Sequence, residues 1–115
     1  MKLIIAIIRP GRLQAVKTAL QETGVSGITV TPVKGCGSQR GVTERYRGSE
    51  YVIDLLDRVQ VEVAIKDDEV SKIAQIILDA AKTGEVGDGK IFVLNIEEVI
   101  RIRTNEKGES ALETR

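Results

Sequence analysis

The segment Leu3-Ile4-Ile5-Ala6-Ile7-Ile8 is an unbroken apolar run closed by Arg9-Pro10-Gly11, the pattern of a strand covered on both faces. Leu13, Val16 and Leu20, supported by Ala15 and Ala19, then recur at helical spacing. Gly24 supplies a stop, which predicts a helix over 11–23. Residues 27–34 read as a second strand, with Pro32 pointing to a sheet edge or a bulge. Over 59–65, Val59, Val61, Val63 and Ile65 alternate with Gln60, Glu62 and Ala64, the period of a half-buried strand. Asp67 and Asp68 offer a helix start, and Val70, Ile73, Ala74, Ile77, Ala80 and Ala81 form the stripe of a second helix ending near Gly84. Residues 90–96 read as a fourth strand and 99–103 as a short fifth, and the polar stretch 104–115 reads as a flexible tail.

The order β-α-β-β-α-β predicts one α+β domain over 1–115 with the ferredoxin-like split βαβ topology. Its two helices can cover only one sheet face. Leu3, Ile5 and Ile7 oppose Ile4, Ala6 and Ile8 across the first strand, so the second face also wants cover. Another copy of the chain is the simplest source, and a compact homo-oligomer is expected. A connection of about 20 residues, longer than compact domains usually carry, separates the second and third strands, with a long exposed loop expected over 37–55. It holds Gln39, Arg40, Glu44, Arg45, Arg47, Glu50 and both tyrosines, Tyr46 and Tyr51. It reads either as a solvated charged hairpin or as a partner-binding or modification loop, and the concentration of arginine and tyrosine favours the second.

Composition removes most alternatives. The 115 residues carry 17 Lys+Arg against 17 Asp+Glu, no His, no Trp and one Cys. Zero net charge argues against nucleic-acid binding. A lone Cys36 excludes an internal disulfide framework, and without His neither a His-based triad nor a structural zinc site can be assembled from one chain. The six-residue N-terminal apolar run is too short for a signal peptide or a membrane span, which predicts a cytoplasmic protein without membrane insertion.

The segment Gly84-Glu85-Val86-Gly87-Asp88-Gly89-Lys90 fits G-x-x-x-x-G-K, but Ile91 replaces the Ser or Thr of a P-loop and a helix precedes the glycines. A P-loop NTPase is therefore rejected. The segment reads as a plain helix-to-strand turn or as glycines aiming N–H groups at an anion beside the Lys90 charge. Arg101 and Arg103, two apart, read as a solvated strand face or, with Lys90, as a triphosphate-sized clamp. Gly35-Cys36-Gly37 with Ser38 and Gln39 is a second place where backbone can approach a ligand, although it is not a dinucleotide fingerprint. Cys36 reads as a small packed residue, since no His can activate it. Glu62 and Asp88 are the available carboxylates, with solvation or ligand hydrogen bonding favoured over catalysis.

Two segments carry a family resemblance. Tyr46-Arg47-Gly48-Ser49-Glu50-Tyr51 resembles the loop signature of the PII nitrogen-regulatory signal-transduction proteins, and Thr83 through Val93 resembles that family's second signature. The likeness runs from Lys2 through Arg103. It implies a homotrimer with ATP or ADP in the clefts between subunits, joined by magnesium and 2-oxoglutarate as effectors. By position, Ile7, Thr29, Gly35, Gly37, Ser38, Glu62 and Ala64 would line the adenosine side. Gly87, Asp88, Gly89 and Lys90 would hold phosphates, with Arg101, Ile102 and Arg103 supplied by a neighbouring subunit. Gln39 would meet magnesium and 2-oxoglutarate, and Arg58 and Gly87 would complete the 2-oxoglutarate site.

The resemblance further implies signalling by population shift of the long loop, which a partner reads. Tyr51 is the position of nucleotidylylation in some members and Ser49 is phosphorylated in others. An ammonium transporter, a nitrogen-metabolism enzyme or a sensor kinase would be the partner. No residue is assigned a catalytic role. The alternatives are a divergent trimer sensing adenine nucleotides without 2-oxoglutarate, one with weak ATPase activity, and a scaffold without ligands. Arg58 stands where the family commonly has lysine, and its planar fork makes that exchange a chemical change.

Overall fold

The computed structural model describes residues 1–25, 27–36, 42–46, 49–53 and 55–113, with 42–46 and 49–53 described through their backbone. The first apolar run forms β1 (Lys2–Ile8). A 3-10 turn, Pro10–Arg12, follows and leads into α1 (Leu13–Glu22); Pro10 suits an opening position because its missing N–H would have no partner there. The helix buries Val16 and Leu20 and stops where the Gly24 N–H meets the Gln21 carbonyl at 3.2 Å. Strand β2 is Thr29–Gly35, and Pro32 sits on this edge strand as expected.

The predicted long connection contains a hairpin. β3 (Val42–Tyr46) pairs antiparallel with β4 (Ser49–Ile53), setting Tyr46 opposite Ser49 and Glu44 opposite Tyr51. β5 then runs Leu56–Ile65, three residues longer at its start than the alternation predicted. The pair Gly35 and Leu56 closes the β2–β5 ladder, so the inserted chain leaves and re-enters the sheet at one point. α2 (Val70–Ala81) buries Ile73, Ile77 and Ala81 along one stripe, and β6 is Lys90–Asn95.

The four-stranded sheet has the order β2-β5-β1-β6, and its three strand pairings are all antiparallel. This is the ferredoxin-like arrangement. Ile4, Ala6 and Ile8 of β1 join Val59, Val61, Val63 and Ile65 of β5 under the two helices and form the core. The opposite face carries Leu3, Ile5 and Ile7, with Phe92 and Leu94 beside them in register. Among the described residues no helix covers it: Phe92 and Leu94 are 49% and 45% exposed. The expectation that one sheet face lacks cover within the chain is therefore met. Among the described residues no helix is long and apolar enough to cross a membrane.

Three local expectations are corrected. Asp67 does not cap α2: a 3-10 turn, Asp67–Glu69, precedes the helix without any side-chain cap bond, and the Asp67 carboxylate takes the Met1 ammonium at 2.7 Å. Residues 99–103 are not a strand, since only an isolated bridge joins Ile100 to Lys107 and residues 102–104 are a turn. Beyond Thr104 the polar segment folds back, with a 3-10 turn at Gly108–Leu112.

Candidate functional site

At the β6 end of the sheet, the chain between α2 and β6 must reverse within a few residues and return alongside β1. Asp88 organises that reversal. Its carboxylate accepts the backbone N–H groups of Thr83 and Gly84, each at 2.9 Å, and the Thr83 hydroxyl. From the other side, Arg9 donates Nε to Asp88 Oδ1 at 3.0 Å and Nη2 to the Val86 carbonyl at 2.7 Å. The Thr83 hydrogen bond holds the Asp88 carboxyl well below its ordinary range, against an opposing contribution from burial, with Arg9 and the two N–H groups adding to the lowering. The carboxylate is thus consumed within the turn; Arg9, beyond the positions predicted for the site, is its cationic partner.

Glycine at 89 is required by two independent facts. Its φ is +94°, and a Cβ there would lie 1.7 Å from the Ile7 carbonyl oxygen. Gly87, at φ +103°, is likewise in the left-handed region. The glycine turn therefore lies directly on the end of β1 and delivers Lys90 opposite Ile7 in the first pair of the β1–β6 ladder.

A cavity of about 250 Å³ opens beside this turn. Six of the residues singled out in the sequence line it together: Ile7, Gly35, Arg58, Gly87, Gly89 and Lys90. They come from β1, the end of β2, β5 and the glycine turn. Lys90 makes no hydrogen bond or ion pair among the described residues and is exposed, so its ammonium is available to an anion. Arg58 lines the cavity while its Nη1 donates to the Asp57 carbonyl at 2.7 Å. The lining also includes Cys36, from the segment that the sequence offered as a second approach to a ligand, and Leu56 and Phe92, which the sequence did not mark as site residues. Cys36 corrects the expectation of a packed thiol: it is exposed, because it follows the last residue of an edge strand. Leu56 and Phe92 have no chemical signature of their own; only their register, opposite Gly35 and Ile5, could have found them.

Among the described residues, the other predicted ones do not line this cavity. Thr29 and Glu62 are paired across β2 and β5, and Ala64 follows on the same open face opposite Leu3. Glu62 accepts the Gln60 amide at 2.5 Å. Asp88 turns away into its own loop. Arg101, Ile102 and Arg103 do not line the cavity; Ile102 and Arg103 are exposed, while the Arg101 guanidinium is held by the C-terminal segment. Gly37, Ser38 and Gln39 lie outside the described residues, as do the side chains of Ser49 and Tyr51. Among the described residues no group of three or more His, Cys, Asp or Glu side chains is arranged to hold a metal.

An exposed lysine, an arginine and a glycine turn around an otherwise apolar hollow suit an anionic ligand that also carries a flat or apolar part. Comparison with known proteins agrees in family. The model of the family described as nitrogen regulatory protein P-II matches residues 1–106. The chain is 58% identical over 112 residues to the nitrogen regulatory protein P-II of Mesorhizobium japonicum, covering 97% of this chain and 100% of that protein. It is 54% identical to that of Porphyra purpurea with the same coverage. To the nitrogen regulatory protein P-II 2 of Methanothermobacter thermautotrophicus it is 49% identical, covering 97% of each. The chain belongs to the nitrogen regulatory protein P-II family.

Proposed function

We propose that this protein is a nitrogen-regulatory signal transducer that binds ATP or ADP beside Lys90 and passes the state of that site to partner proteins through the 37–55 segment. The observation that carries the reading is the convergence on one cavity of Ile7, Gly35, Arg58, Gly87, Gly89 and Lys90, residues far apart in sequence that the family resemblance assigned to the nucleotide or, for Arg58, to the adjoining 2-oxoglutarate. Relatives at about half identity or more bear the name of nitrogen regulatory proteins, which supports the physiological setting.

In this reading Lys90 and the N–H groups of the glycine turn meet phosphate oxygens, as a point charge and an oriented dipole set do. Ile7 and Gly35 face the adenosine, with Thr29, Glu62 and Ala64 along the open sheet face. Gln39 offers an amide oxygen to magnesium, a hard cation that binds through oxygen. Magnesium would supply charge neutralisation between the phosphates and 2-oxoglutarate, and Arg58 would meet a 2-oxoglutarate carboxylate. The open apolar face supports assembly with further copies, a homotrimer in which Arg101 and Arg103 approach the site of a neighbour. Ser49 and Tyr51 remain candidate modification positions on the hairpin.

Calorimetric titration of ATP–magnesium, with and without 2-oxoglutarate, tests the reading. Each ligand should tighten the other by the same factor, because linkage is reciprocal. Absence of heat with ATP and ADP refutes nucleotide sensing. ATP binding that 2-oxoglutarate leaves unchanged selects the second reading, a sensor of adenine nucleotides alone. That reading draws support from the Arg58 guanidinium, part of whose donor capacity goes to Asp57. Multiple-turnover ATP hydrolysis would replace both with an enzyme.

A further inference from the structure

The polar C-terminal stretch is folded onto Arg101. Nη2 of Arg101 faces the carbonyls of Ser110 at 3.4 Å and Ala111 at 3.3 Å, and it donates to that of Glu113 as well. Nε lies 3.4 Å from Glu106 Oε1 and makes no hydrogen bond. Nη1 has no bond among the described residues. The backbone brings these partners back, with Arg101 N–H on the Glu106 carbonyl at 2.9 Å and Gly108 N–H on the Val99 carbonyl at 3.0 Å. The Arg101 side chain is 20% exposed, whereas the neighbouring Ile102 is 96% exposed. Two features set the segment against the body: Leu112 lines a hollow together with Val25 and Ile73, and Glu113 Oε1 lies 3.8 Å from Lys66 Nζ.

We propose that the C-terminal turn, 108–113, is a positioning element of the nucleotide site: its carbonyls grip Arg101 at Nη2 and leave Nη1 free for a phosphate oxygen. This rests on the reading that Arg101 serves the nucleotide. The grip is made mostly by neutral carbonyls, so the guanidinium keeps charge to offer while losing its rotamer freedom before the ligand arrives. Immobilising a long side chain in advance is worth between about twofold and tenfold in affinity.

The test is a double-mutant cycle on the full chain. Leu112→Asp detaches the turn without touching Arg101, and Arg101→Ala removes the object of the grip; Leu112 lies outside the main core, and the milder Leu112→Ala serves if the first variant misfolds. ATP affinity, measured by calorimetry at equal oligomer content, should fall between about twofold and tenfold for Leu112→Asp in the parent. It should not fall further in the Arg101→Ala background. An unchanged affinity, an equal fall in both backgrounds, or tighter binding on release of the turn overturns the inference. If Arg101→Ala alone leaves ATP affinity intact while Lys90→Ala lowers it, the assignment of Arg101 to the site is what failed, and the inference falls with it.

Discussion

Replacing Gly89 by alanine separates two costs that usually arrive together. The first is conformational: an L-residue held at positive φ loses about 1–2 kcal/mol. The second is steric. The new Cβ would stand 1.7 Å from the Ile7 carbonyl oxygen, where real contacts stay beyond 3.0 Å, so the turn must withdraw from β1 by more than about 1 Å, and overpacking of this kind costs about 1–3 kcal/mol more. Gly84 provides the control, because its φ is +90° and a Cβ there meets nothing within 4 Å. Gly84→Ala should therefore cost about 1–2 kcal/mol and Gly89→Ala about 2–5 kcal/mol. Urea unfolding at a fixed protomer concentration measures both. Withdrawal of the turn also moves Lys90 off its place opposite Ile7, so ATP affinity should drop for Gly89→Ala and hold for Gly84→Ala. Equal stability losses for the two variants would refute the steric account, and undiminished ATP binding by Gly89→Ala would refute the role given to the turn.

Arg103→Ala should weaken ATP binding in calorimetry while light scattering shows the oligomer intact. Leu94→Glu, on the uncovered sheet face, should abolish the self-association proposed for that face, read by the same light-scattering measurement. Asp88 should give the turn an acid-sensitive stability. Because its folded pKa is depressed, the contribution is fully present above the ordinary carboxylate value of 3.8 and is lost as pH falls below it. Acid unfolding followed by circular dichroism should therefore be shallower for Asp88→Asn than for the parent. In the core, Ile77→Ala removes a side chain that is 1% exposed, and denaturant unfolding should register a loss of about 2–5 kcal/mol.

The elements that carry the core were legible because burial writes itself as period. The run through β1 and the Ile73–Ile77–Ala81 stripe of α2 each correspond to observed burial. Boundaries failed where charge masked the period: β5 begins at Leu56, but Asp57 and Arg58 interrupt the alternation that begins plainly at Val59. The strand expected at 99–103 failed for a different reason. Its apolar alternation is real, yet Ile102 is almost wholly exposed within the chain, so the pattern records something other than a ladder of this chain. Of the candidate site, the glycines and Lys90 were legible from chemistry. Arg9 and the apolar wall of Leu56 and Phe92 were not, because their roles depend on which strands become neighbours. The carboxylate of Asp88 was legible as important, but its partners, Arg9 and Thr83, direct it inward rather than toward a ligand.

The meeting of Gly35 with Leu56 has a mechanical consequence. Gly35 and Leu56 are the paired sheet residues that flank the insertion, and both are wall of the 250 Å³ cavity. A ligand seated in the cavity, as proposed, would bear directly on the two residues at which the sheet gives way to the insertion. On the proposed function, the signal would begin at those two residues rather than in the core.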